Sequence, residues 1–101
     1  MNATPRTLVI LGLAATLGCA GDPCVSACEA HKACPGARQD DCATVCDAEQ
    51  TSAERANCVR ERDAMFECAE RNEGKVCSEN VYATVCAAQA DAYAACVVGV
   101  P

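Results

Sequence analysis

Two pairs of cysteines stand at a four-residue step, Cys24 with Cys28 in "CVSAC" and Cys42 with Cys46 in "CATVC". Thiols so placed have two chemistries open to them, ligation of a soft metal or oxidation to bridges. Cys24, Cys28 and His31 fall at i, i+4 and i+7, one face of a helix. With Cys42 and Cys46 they could form the sulfur-rich pocket that zinc or Cu(I) accepts. The rest of the chain opposes that use. No C-x2-C occurs, and gaps between successive cysteines reach eleven residues.

The N-terminus favours oxidation. In "MNATPRTLVILGLAATLGCAG" Arg6 is the only charge, an apolar run follows from Leu8 to Leu17, and small residues surround Cys19. That is the layout of an export signal peptide, too short in its apolar run for a membrane span. Ten cysteines follow it: Cys24, Cys28, Cys34, Cys42, Cys46, Cys58, Cys68, Cys77, Cys86 and Cys96. An even number in a small exported chain reads as a disulfide framework. Bridged sulfurs leave no thiolate for a metal, so a Cu(I)- or Zn-binding or storage protein is the alternative, and no cofactor is expected.

The spacing proposes partners. Neighbouring turns of a helix hold Cβ atoms about 5–6 Å apart, whereas a disulfide needs about 3.8 Å. Cys42 and Cys46 should therefore not bond to each other. Across two antiparallel helices, bonded partners have residue numbers of constant sum. Cys24 with Cys46 and Cys28 with Cys42 both sum to 70, which centres the turn on Pro35. Cys58 with Cys96 and Cys68 with Cys86 both sum to 154, and nine residues separate the cysteines on each side. Equal spacing is equal rise, about 15 Å at 1.5 Å per residue. Cys34 and Cys77 remain, one beside each turn, and elimination pairs them.

The elements that must carry these bonds are helices, since Ala, Glu, Arg, Gln and Asp dominate and β-branched runs are few. Four are expected. The first spans about 24–34 and stops at Pro35 and Gly36; the second begins after Asp40 or Asp41 and runs to about Glu49. Thr51 and Glu54 match a capping box, which starts the third helix there and carries it to about Asn72, near Gly74. Its apolar face holds Val59, Met65, Phe66, Cys68 and Ala69, with Arg62 intruding. The fourth starts at or after Ser78 and ends near Gly99, with Tyr82, Cys86, Gln89, Ala90, Tyr93, Cys96 and Val97 as its buried stripe. The expected organisation is thus a signal peptide over 1–18, a tether over 19–23 and an all-α, cysteine-rich domain over 24–101. That domain consists of two antiparallel helical hairpins, about 24–50 and 51–98.

At "TLGC", Thr16 to Cys19, the leader resembles a lipobox, which implies cleavage before Cys19 and lipid attachment to it. Thr16 departs from the leucine usual three places before the cysteine. An ordinary signal cut after Ala20 is the alternative, with a periplasmic or secreted product. By resemblance to the enteric sorting rule, Ala20 rather than Asp after the lipid site implies the outer membrane. The twin C-x9-C spacing is similar to that of the coiled-coil-helix-coiled-coil-helix proteins, and the twin C-x3-C to that of the α-hairpinin peptides, some of which inhibit proteases or bind membranes. Each likeness covers about half of the chain beyond the leader and implies a disulfide-laddered helical hairpin. As a whole the chain resembles the small cysteine-rich lipoproteins of Gram-negative bacteria, a class with no established activity to carry over.

Charge and motif content narrow the function further. The sequence holds 8 basic and 14 acidic side chains; loss of residues 1–18 removes Arg6 alone and leaves a formal charge of −7. Such a surface repels phosphate backbones, so no nucleic-acid partner is expected. There is no C-x2-C-H, Gly-rich phosphate loop or H-E-x2-H, and a bridged cysteine cannot act as a nucleophile. Asp40 with Asp41 reads as a cap, and Glu67, Glu70 and Glu73 as a solvated helix face. No catalytic residues are assigned. The sequence therefore points to a structural or binding module of the cell envelope, tethered to the membrane through Cys19 and meeting an envelope or extracellular protein. A secreted, soluble inhibitor-like peptide is a further alternative.

Overall fold

The computed structural model describes residues 21–99; the signal peptide expected over 1–18 and the lipid site expected at Cys19 lie outside them. The described chain is all-helical, with α1 at Pro23–Lys32, α2 at Cys42–Ala56, α3 at Val59–Arg71 and α4 at Ala87–Val98. Two 3-10 turns, Glu73–Lys75 and Val81–Ala83, lie between α3 and α4. None of these helices is long and apolar enough to cross a membrane.

Local chemistry explains each boundary, and in three places the boundary differs from the sequence reading. Asp22 is the N-cap of α1, accepting from the Cys24 N–H at 3.0 Å, and Pro23 opens the helix, where its missing N–H costs nothing. Both residues fall in the expected tether but belong to the domain. Helix α2 runs straight through Thr51 and Glu54 instead of breaking there. Nothing between Asp47 and Ala53 opposes a helix, and Glu54 accepts from the Gln50 side chain one turn back at 2.9 Å rather than from the backbone before it.

The break comes at Asn57, which is left-handed at φ 62°. The Asn57 N–H donates to the Glu54 carbonyl at 3.1 Å and the Cys58 N–H to that of Ala53 at 2.8 Å, which is a Schellman closure. The turn between the two hairpins therefore sits at Asn57 and Cys58, about two helical turns later than expected. The third difference concerns Tyr82, which lies on the second 3-10 turn and not on α4. Asn80 caps that turn by accepting from the Tyr82 N–H at 3.1 Å.

Packing is built from sulfur and methyl groups. Among the described residues, six of the ten buried apolar ones are cysteines, and the others are Ala27, Ala53, Ala69 and Val81. Helix α3 is central, packing most extensively against α1 and α4. Between them Ala27, Cys68, Ala69, Val81 and Cys86 form a cluster, with Phe66, Val76 and Tyr82 packed against it. The small side chains let helices approach closely but bury little area each, so this interior alone would be marginal for a domain of about 80 residues.

Candidate functional site

Five disulfides tie these elements together, and they use all ten cysteines after Cys19. Cys24 is joined to Cys46 and Cys28 to Cys42, with Cα atoms 5.8 and 5.7 Å apart, so α1 and α2 run antiparallel. Cys58 is joined to Cys96 and Cys68 to Cys86, at 6.0 and 5.8 Å, which sets α3 against α4 in the same sense. Cys34 is joined to Cys77 at 5.4 Å and links the two hairpins. These are the partners at which the sums of 70 and 154 point, together with the pair left by elimination. Cross-linking of this density in so small a domain belongs to an oxidising compartment, outside the cytoplasm.

The sulfurs proposed as metal ligands are spent in these bonds. Among the described residues, two groups bring potential ligand atoms together, Asp22 with Cys24 and Cys46 and Glu61 with Cys58 and Cys96, and each contains a bridged pair. His31 is exposed on α1.

A buried ion cluster joins the hairpins at a second point. Arg62, the intruder on the apolar face of α3, is 1% exposed. Its Nη1 and Nη2 donate to the two carboxylate oxygens of Asp22, both at 2.9 Å. Nη1 also donates to Asp63 at 2.8 Å, and Nη2 to the Cys46 carbonyl at 3.2 Å. The guanidinium carbon lies 5.2 Å from the centre of the Phe66 ring, within cation–π range. The Arg62 hydrogen bonds hold the Asp22 carboxyl below its usual range, and Asp22 in turn raises Arg62 further above its own. One side chain thus contacts the start of α1, the second turn of α2 and its own helix.

No protein-family model matches the chain, and neither a curated protein nor a solved structure matches it.

An open groove of about 740 Å³ lies between α1, α2 and the segment from Val76 to Tyr82. Ala27, Phe66, Val76, Val81 and Tyr82 give it an apolar lining, with Phe66 and Tyr82 meeting edge to face at 6.1 Å. Charged residues complete it: Lys32, Arg38, Asp40, Glu49 and Glu79. Burial and the nearby Glu49 carboxylate raise the Tyr82 phenol above its ordinary range. Tyr93, on α4, donates to Glu49 at 3.2 Å and is raised by burial and by the same carboxylate.

The sequence reading assigned both tyrosines to the buried stripe of one helix. The structure leaves each half-buried, Tyr82 in the groove and Tyr93 on α4 behind Glu49. Asp22 and Glu49 were not singled out at all. Arg62 carried a readable signal, because a lone base on an apolar helix face calls for a buried counter-ion.

Proposed function

We propose that this protein is a disulfide-stapled binding module of the bacterial cell envelope, anchored through lipid on Cys19 and presenting a rigid helical domain to an envelope or extracellular protein. The observation that carries the reading is the complete pairing of the ten cysteines beyond the leader. An odd cysteine at position 19, at the end of an export-type leader, is then free for acylation. Stable anchoring needs more than one acyl chain, which a bacterial lipoprotein carries. The lipobox-like "TLGC" and the Ala20 that follows it support the outer membrane as the destination.

The rigid domain suits binding better than catalysis. The cysteines are oxidised and the histidine is exposed, so a surface held in fixed shape by cross-links is what the fold offers to a partner.

The test is the intact mass of protein purified from membranes, before and after reduction, with metal content read on the same sample. The expected result is a lipid mass on Cys19, no bound copper or zinc, and a gain of about 10 Da on reduction, one hydrogen for each bridged sulfur. No gain together with bound copper or zinc would overturn the reading in favour of metal handling.

A further inference from the structure

The charges around the groove are unequally matched. Arg38 is held by Asp40 at 3.0 Å, and Lys32 lies 3.8 Å from Glu29. Of the three basic side chains in the lining, His31, Lys32 and Arg38, the two charged ones thus each have an acid of the protein within ion-pair distance. The two remaining carboxylates are not so paired. Among the described residues, Glu49 accepts only from the Tyr93 hydroxyl, at 3.2 Å, and Glu79 only from that of Thr84, at 2.8 Å. Among the described residues neither has a basic side chain within ion-pair distance.

Beside these carboxylates lie the half-buried Tyr82 ring and the apolar surface of Phe66, Val76 and Val81. A carboxylate next to an aromatic face is a receptor for an ammonium or guanidinium group. The apolar lining suits the side chains flanking such a group. The excess of acidic over basic residues in the whole chain draws a cationic partner in and repels an anionic one. At about 740 Å³ the groove also falls within the size range of functional binding sites.

We propose that this groove docks a protein segment that presents a lysine or arginine between apolar side chains, with Glu49 and Glu79 taking the cation and Phe66, Val81 and Tyr82 the apolar neighbours. The inference rests on the binding-module reading and supplies its partner chemistry. Two carboxylates on different elements, lining one groove together with apolar residues, ask for both features in one ligand. A free amine supplies only one.

The experiment follows amide chemical shifts of the oxidised, isotope-labelled mature protein during titration with the capped pentapeptide Val-Leu-Lys-Leu-Val. Shifts are expected at Val45 and Glu49 and from Val76 to Tyr82. Glu49→Gln with Glu79→Gln should weaken binding about ten-fold, since it removes two charges but leaves side-chain oxygens to accept from Tyr93 and Thr84. The peptide with Glu in place of Lys, and butylamine alone, should each bind at least about ten-fold more weakly than the Lys peptide.

Three results would overturn the proposal: no shifts at saturating peptide, undiminished binding by the doubly substituted protein, or equal binding of the Glu peptide or butylamine. Loss of the same resonances with rising protein concentration and no peptide would give the groove to a second copy, which also overturns it. Lipid mass and bridge count are read on the same preparation. A lipidated, fully bridged protein that ignores the peptide sinks the groove alone, whereas free thiols carrying metal sink the binding-module reading itself.

Discussion

Changing Asp22 to Asn keeps the shape of the N-cap and removes the charge that faces Arg62. The guanidinium, 1% exposed, would keep Asp63, the Cys46 carbonyl and the bond from Nη1 to the remaining side-chain oxygen, but lose the ion pair and the 2.9 Å charge-assisted hydrogen bond from Nη2. Such bonds are worth about 1.5–3 kcal/mol each when desolvated. The Asp22 side chain is 30% exposed, so water competes for part of that. A net loss of about 2–3 kcal/mol is expected, because a buried charge is left under-compensated. For a domain of about 80 residues this lowers the melting temperature by roughly 10–20 °C.

The assay is guanidinium unfolding followed by far-ultraviolet circular dichroism, with all bridges intact, in a cycle with Arg62→Met. The methionine removes the buried charge and fills the space, so adding Asp22→Asn to it should cost less than about 0.5 kcal/mol more. The pH dependence has a fixed sign. The folded-state carboxyl is lowered, so its contribution is full above the unfolded value of about 4 and is lost as pH falls through the folded value. Wild type and Asp22→Asn should therefore converge in acid. A loss below about 0.5 kcal/mol at neutral pH, or full additivity with Arg62→Met, would refute the argument that this pair holds α1 onto α3.

Cys34→Ser with Cys77→Ser should be the costliest paired removal. Its loop spans 43 residues and no other bridge crosses between the hairpins to shorten it, so loop closure alone is worth about 4 kcal/mol. Denaturant unfolding checks this, and since neither cysteine is buried the helical signal of the native state should be unchanged. Spectrophotometric alkaline titration should place both tyrosines above the ordinary phenol value of about 10, and Glu49→Gln should bring both down. A raised phenol contributes stability that is complete below the unfolded value and lost as pH rises through the folded one, so the alkaline loss should be smaller in Glu49→Gln.

The register of the ladders was readable because a disulfide has a narrow geometry and two antiparallel helices have a fixed rise. Those constraints act on cysteine positions alone, and Cys42 cannot meet Cys28 unless Cys46 also meets Cys24. The helix break was not readable from the same reasoning. Thr51 and Glu54 satisfy a capping box, yet the stretch is flanked on both sides by good helix formers. The decision went to Asn57, whose short polar side chain tolerates the left-handed region and allows Cys58 to close on Ala53. The Asp22–Arg62 pair, 40 residues apart in sequence, could be inferred on one side only. Arg62 announces a missing counter-ion, and nothing local says which of 14 acids supplies it.

Cross-linking also explains where the aromatic residues are. A small domain without bridges must place its large side chains at the centre to gain enough buried area. Here the fully buried positions are filled by sulfur, methyl groups, Val81 and one paired arginine, so Phe66, Tyr82 and Tyr93 are released from that duty. All three are half-buried, two in the groove and the third bonded to its Glu49. A half-buried aromatic keeps one face for the protein and offers the other to a partner, the arrangement that dominates binding energy at interfaces. The cysteines that hold the fold are therefore also what leaves the chain's few recognition-grade side chains at its surface.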